Sequence, residues 1–208
     1  MLFNVAKLSD FMPEIKVKDE IQNIEVVEEF KLLGVLITSD LKWDANTNAI
    51  TKKAYKRLWM LKRLKNLGLK TASLVNVYTS QVRSLLEFGA VTWHSMLTLE
   101  NERCIERVQK AAVSIILELD YHNYESGLSQ LALERLSIRR VKLSLNFAKK
   151  ASKHPKHSTW FVKNEAQKQL NTRSLKQSYK PIQARTQRLT KSPIPFLTDQ
   201  LNTLYTKY

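Results

Sequence analysis

The chain has 208 residues, 43% of them apolar, enough for one packed domain with or without a tail. Its 34 Lys and Arg against 19 Asp and Glu leave a formal charge of +15, which favours polyanionic partners and says nothing about fold. Only four glycines are present, which excludes a Gly-rich phosphate loop and favours helices, and a lone cysteine, Cys104, excludes an internal disulfide.

The longest apolar run, AAVSIIL, has seven residues, well short of the ~18 that a membrane-spanning helix needs. The first residues lack a basic stretch followed by an apolar one, so no signal peptide is expected. With the single cysteine suited to a reducing compartment, the expectation is a soluble intracellular protein of nucleus or cytoplasm, with no membrane partner.

Residues 1–43 read as strand-forming. Ile15 and Val17 alternate with charged residues, Asp19-Glu20 suits a turn, and residues 24–26 lead into the apolar FKLLGVLIT. Such strands hold too few apolar residues to stand alone, so they need a helical partner or a larger sheet.

From residue 45 to residue 86 there are nine Lys or Arg and no Asp or Glu. A solvated helical face usually mixes both signs, so a one-signed run this long points to a polyanion. At about 100° per residue, Ile50, Ala54, Leu58, Leu61 and Leu64 form the apolar stripe of a helix about six turns long. Lys52, Lys56 and Arg63 lie opposite, spread over about 40°, with Trp59 beside them. Trp59 either stacks on a base or sugar between phosphate contacts or packs against another element of the chain. Lys53, Arg57, Lys62 and Lys65 broaden the basic field. Asp44 or Asn46 is placed to cap this helix, and Gly68 to stop it.

Thr71 or Ser73 opens a second helix with Leu74, Val77, Tyr78, Val82 and Leu85 on one face, and residues 87–95 turn a corner. Thr98 starts a third, whose first turn carries Glu100 and Glu102 as the helix dipole prefers. Its stripe is Ile105, Val108, Ala112, Ile115 and Leu119, with Cys104 a small buried or half-buried hydrophobe. Residues 121–133 suit a shorter helix weakened by Gly127. Ser137 then caps a last one, with Ile138, Val141, Leu145 and Ala148 facing inward and Arg139, Arg140, Lys142, Lys149 and Lys150 outward.

Residues 155–208 hold four of the five prolines and ten Lys or Arg (Lys156, Lys163, Lys168, Arg173, Lys176, Lys180, Arg185, Arg188, Lys191, Lys207) against Glu165 and Asp199. Few large apolar residues recur with a period, so this reads as a basic, mostly irregular tail with one short helix near residues 196–205. Such tails bind phosphate backbones in a salt-dependent way.

Catalytic chemistry is not legible. None of the four histidines sits beside a nucleophile in a known motif, and His154 and His157 are spaced like a metal pair without a second pair of ligands. The doublets Asp19-Glu20 and Glu28-Glu29 read as solubility residues, and there is no aromatic-x-Asp-Asp hairpin of the kind that clamps two metal ions. No catalytic residue, metal or cofactor is expected.

Taken together, the motifs Leu33-Gly34-Val35, Leu41-x-Trp43, residues 57–64 (RLWMLKRL), Phe88-Gly89 to Trp93, and Val108-Gln109-Lys110-Ala111-Ala112 form a recognisable order. With the terminal RTQRLTKSPIPFLTDQLN, it resembles the C-terminal region of non-LTR retrotransposon reverse transcriptases, over roughly residues 25–150 plus the ending. Each motif alone is weak; their order carries the resemblance. It implies a palm-edge strand over residues 30–38 corresponding to the primer grip, with Phe30, Leu33 and Gly34 in that role, and thumb helices from residue 45 that track a duplex. The fingers and the aspartate-bearing palm hairpin of that family are absent. The expectation is therefore a truncated, reverse-transcriptase-like binding protein, not an enzyme by itself, which holds RNA, DNA or a hybrid without sequence preference. The alternatives are a fragment of an active RNA-directed DNA polymerase whose upstream half is missing from the gene model, and a non-functional relic.

The fold expected is mainly α: a small β-edge over residues 1–43, a bundle of four or five helices over 44–154, and the basic tail over 155–208. Oligomeric state is not legible.

Overall fold

A computed structural model describes residues 14–17, 20–23, 27–164 and 179–205. The turn expected at Asp19, the lead-in at residues 24–26, and Glu165, Lys168, Arg173, Lys176 and Lys207 of the tail lie outside the described residues. What is described is mainly helical, with short antiparallel hairpins ahead of the helices.

Strand β1 (Glu14–Val17) pairs with β2 (Glu20–Asn23), and β3 (Glu29–Leu32) with β4 (Val35–Thr38), Phe30 lying opposite Ile37. The run over residues 30–38 is therefore a hairpin, not the single palm-edge strand that the resemblance implies. Leu33 and Gly34 both have positive φ, 47° and 92°, the two-residue turn whose twist matches that of the flanking strands. Leucine rarely adopts that conformation, so its side chain gives no signal of a turn. The hairpin has the helical partner it needs. Val35 and Ile37 pack on the helical core, and the Leu36 N–H donates to Asn46 Oδ1 at 3.1 Å.

Helix α1 (Asp44–Asn66) buries Ile50, Ala54, Leu58 and Leu61, and half-buries Leu64, as its periodicity predicts. Neither proposed cap acts as one. Asn46 is occupied by the hairpin, and Asp44 Oδ1 accepts from Asn101 Nδ2 at 2.9 Å, joining the starts of two helices. At the other end Gly68, with φ 81°, closes α1 as expected. Its N–H donates to Lys65 O at 2.9 Å and that of Leu69 to Leu64 O at 3.2 Å, which satisfies two terminal carbonyls.

Helix α2 (Thr71–Val77) continues through a π-helical stretch, Tyr78–Arg83, into α3 (Ser84–Glu87). The buried residues are Leu74, Tyr78, Val82 and Leu86, all four apart. In a regular α-helix a spacing of four drifts by about 40° each time. The wider π turns absorb that drift, so Leu86 takes the place expected of Leu85. After extended Phe88, Gly89 (φ 63°) turns the corner into α4 (Ala90–Trp93), so close to β4 that a Cβ there would stand 2.9 Å from Val35 Cγ2.

Helix α5 (Leu99–Leu117) starts where Thr98 predicts, its hydroxyl accepting from Asn101 N at 3.2 Å. Ile105, Val108 and Ala112 are buried as expected and Cys104 is half-buried. The stripe then runs to Ile116, not Ile115, and Leu119 lies past the helix end, 93% exposed. Helix α5 runs parallel to α1: Asn101 meets Asp44 at one end, and Lys65 Nζ donates to Ile116 O at 3.0 Å at the other.

Helix α6 (Tyr124–Gln130) is capped by Asn123, whose side chain accepts from Ser126 N. Gly127 does not weaken it without return. A Cβ there would lie 2.6 Å from Val113 Cγ1 and 3.2 Å from Leu117 Cδ1, so the glycine sets how closely α6 seats on α5. Gly127→Ala should gain about 1 kcal/mol of helix propensity yet lose more to overpacking, for a net loss of about 1–2 kcal/mol. Urea unfolding checks this; a stabilised variant would mean that Val113 yields freely. A buried polar chain fixes the same seat: Tyr78 Oη donates to Gln109 Oε1 at 2.6 Å, while Gln109 Nε2 donates to Tyr124 Oη at 2.9 Å and to Glu134 O at 3.0 Å.

Helix α7 (Leu136–Ala151) begins with Arg135, not Ser137, at its N-cap position. The buried line is Leu136, Arg140, Ser144, Ala148 and Ala151, about 100° around the helix from the predicted inner face. Ile138 is exposed, and Arg140, expected outside, is wholly buried. Two neighbours set this face: Trp93 and His94 meet Arg140, and a helix hidden in the tail meets Ala148 and Ala151. Helix α8 (Gln187–Thr190) leads into α9 (Pro193–Tyr205), longer than the helix expected there, and α9 packs on α7 and α4. Ala148, Ala151, Phe161, Tyr179, Leu197 and Leu201 form a second core beside the main one. Asn202 completes it, its amide accepting from Tyr179 N and donating to Tyr179 O, both at 3.0 Å.

Candidate nucleic-acid interface

The apolar stripe of α1 faces α5 and the α2–α3 helix, which fixes the opposite face toward solvent. Lys52, Lys53, Lys56, Lys62 and Arg63 are all exposed there. The row Lys52, Lys56, Trp59, Arg63 runs straight along the helix for about 16 Å, the axial length of about five base pairs. Trp59 is 63% exposed, and the Arg63 guanidinium lies 4.7 Å from its ring centroid. Of the two readings of this tryptophan, packing against another element is not what the structure shows; its partner is its own neighbour on the helix, and much of the indole remains open. Such a cation–π pair holds both groups in a flat, charged surface.

Arg57 and Lys65 stand apart from this row. Both sit beside the apolar stripe, so their long side chains run along neighbouring helices and end on backbone carbonyls. Arg57 Nη1 donates to Gln81 O at 2.5 Å in the π-helical stretch, and Lys65 Nζ to Ile116 O at the C-terminal end of α5, where a cation meets the helix dipole favourably. Tyr55 is a residue that the sequence reading passes over, yet it is 46% exposed one turn before Trp59. That spacing of four is the signal that could have found it.

The residues matched to a primer grip are on the β3–β4 hairpin. Phe30 is exposed on β3 and Leu33 is 87% exposed at the turn. Gly34 lies against the Phe88 ring, where a Cβ would stand 3.1 Å from Cε1. The hairpin is anchored through Asn46, about 100° around α1 from the basic row. The structure thus gathers the helix cations on one face and sets the hairpin residues on a different side.

In the second basic cluster, on α7, Lys142, Lys149 and Lys150 are exposed as expected, Arg139 is half-buried and Arg140 alone is buried. Arg139 Nε donates to Glu87 Oε1 at 2.5 Å and Lys142 pairs with Glu134, which leaves Lys149 and Lys150 facing solvent. Arg140 has Nε on His94 Nδ1 at 3.2 Å and its guanidinium 6.0 Å from the Trp93 ring centroid. Neither Nη atom has a hydrogen-bond partner among the described residues. Burial, and after it the Arg140 charge, holds the His94 imidazole down from 6.5 to about 4, so it is neutral and free to accept.

Among the described residues no three His, Cys, Asp or Glu gather where they could hold a metal ion, and no helix is long and apolar enough to cross a membrane. No protein-family model matches the chain, and no curated protein or solved structure matches it either.

Proposed function

We propose that the protein binds the phosphate backbone of a nucleic-acid duplex or RNA–DNA hybrid through the exposed face of α1, without reading sequence. In this reading it is a thumb-like, reverse-transcriptase-related binding module, and its role is holding a duplex, not polymerising one. The observation that carries it is the open indole of Trp59 set in a row with Lys52, Lys56 and Arg63, on a stretch with no acidic residue from 45 to 86. The cations meet phosphates, and the aromatic plane braces Arg63 or stacks on a sugar or base. Lys53 and Lys62 extend the field, whereas Arg57 and Lys65 contribute charge from fixed positions.

The test is binding to a short RNA–DNA hybrid across a salt series. With three to five phosphates neutralised, log K should fall against log salt with a slope of about −3 to −4.5. The Lys52→Glu, Lys56→Glu, Arg63→Glu triple variant changes only exposed side chains, so it should fold normally and bind about tenfold or more weakly. Trp59→Ala should weaken binding less, with little change in salt slope. Equal binding by wild type and the folded triple variant would remove α1 from the interface, and no binding at low salt would end the proposal.

A further inference from the structure

On the side of the molecule built by α4, α7, α8 and α9 there is an apolar groove of about 650 Å³. Val91, Phe147, Trp160, Ile182, Leu189 and Pro193 are among its lining, and four of these six keep between 38% and 47% of their surface exposed. The volume is that of a binding cleft. Its hydroxyls are already committed: Thr92 Oγ1 donates to Gly89 O and Ser192 Oγ to Leu189 O, both at 2.7 Å. A nucleobase edge placed here would lose its water and gain no partner. Apolar side chains incur no such loss. The exposed apolar atoms also line a recess and do not project, which fits an inserted side chain better than a flat lipid surface.

The surroundings are predominantly basic. Residues 135–164 contain nine Lys or Arg and no acid, and residues 179–198 contain four and no acid. Lys150, Lys156, Lys163, Lys180, Arg188 and Lys191 are all exposed, each within four residues of a lining side chain. An apolar floor with a predominantly basic surround, whose nearest acids are Glu87, paired with Arg139, and Asp199, is complementary to a segment that is apolar on one face and acidic on the others.

We infer that this groove binds a short, acidic amphipathic helix of a partner protein, whose apolar residues at i, i+3 or i+4, and i+7 enter the groove while its carboxylates meet the surrounding cations. The site lies on other elements than the α1 face and does not depend on it.

A displayed library of peptides about four helical turns long, with randomised apolar and charged positions, tests this against the full chain. Selected peptides should be acidic and show helical spacing of their apolar residues. By fluorescence anisotropy, binding should fall about tenfold or more with Ile182→Ser plus Leu189→Ser, two exposed positions outside both cores. Lys150→Glu plus Lys191→Glu should weaken it most at low salt, and the α1 triple variant should leave it unchanged. Urea unfolding confirms that each variant is folded. Selected peptides without acidic character or without helical spacing would overturn the inference. So would indifference to the Ile182 and Leu189 changes, or a groove variant that lost binding to phosphatidylserine vesicles or a single-stranded oligonucleotide but not to the peptides.

Discussion

Lowering the pH from 6.5 to 4 should reduce the stability of the fold by about 3 kcal/mol, seen as a falling urea midpoint. The cause is His94, buried between α4 and α7 with Phe196 of α9 edge-on to its ring at 6.0 Å and Arg140 as its hydrogen-bond donor. Burial and then the guanidinium keep the folded imidazole neutral down to about 4, whereas the unfolded chain protonates it below 6.5. Between these values the unfolded state binds more protons. Stability that is complete above 6.5 is therefore lost as pH falls and levels off below about 4. Asp40 acts in a separate window: Thr38 first, then Lys42, holds its carboxyl near 2 instead of 3.8. His94→Gln keeps an acceptor for Arg140 and removes the proton site, so its stability should be flat across the upper window. An unchanged slope in that variant would show that other groups set the acid sensitivity.

Replacing Arg140 should give opposite results according to volume. Arg140→Ala should destabilise by about 2–4 kcal/mol, because it opens a cavity under Trp93 and leaves His94 Nδ1 unpaired. Arg140→Met keeps most of the volume and removes a buried charge whose two Nη groups have no partner among the described residues. Burial lowers the affinity of this guanidinium for its proton, and the carboxylates of Glu106, Glu102 and Glu87 offset only part of that effect. Exchange of an incompletely paired buried ion for an apolar side chain is often neutral or favourable, so Arg140→Met should match or exceed wild type in urea. The pH window of His94 should also narrow, without closing, since burial is the larger of its two causes. A methionine variant as weak as the alanine one would mean that the guanidinium is fully compensated.

Helix α1 is the element most fully legible in the sequence. Its apolar stripe, its stop at Gly68 and its one-signed face follow from spacing alone, because a 23-residue helix samples its period many times. The start of α5 at Thr98 is a local hydrogen bond, and local sequence encodes it well. The sorting of the site residues is not encoded in this way. Lys52, Lys56 and Arg63 stay in solvent while Arg57 and Lys65 turn inward, and that depends on which carbonyls, Gln81 O and Ile116 O, the neighbouring helices present.

The hairpin at Leu33-Gly34, the face of α7 and the docking of α9 share one explanation. Each is decided by contacts between segments far apart in the chain. Leu33 takes a conformation that leucine disfavours because β3 and β4 pair and sit on α1. Arg140 is buried because Trp93 and His94, more than forty residues earlier in the sequence, meet it, and Ala148 and Ala151 because α9, as far later, packs on them. By itself the sequence determined a basic, mainly helical chain with an amphipathic first helix, since composition and period are local properties. Only the tertiary structure decided which cations remain free, where the apolar groove opens and which polar groups are buried, since those depend on which surfaces meet.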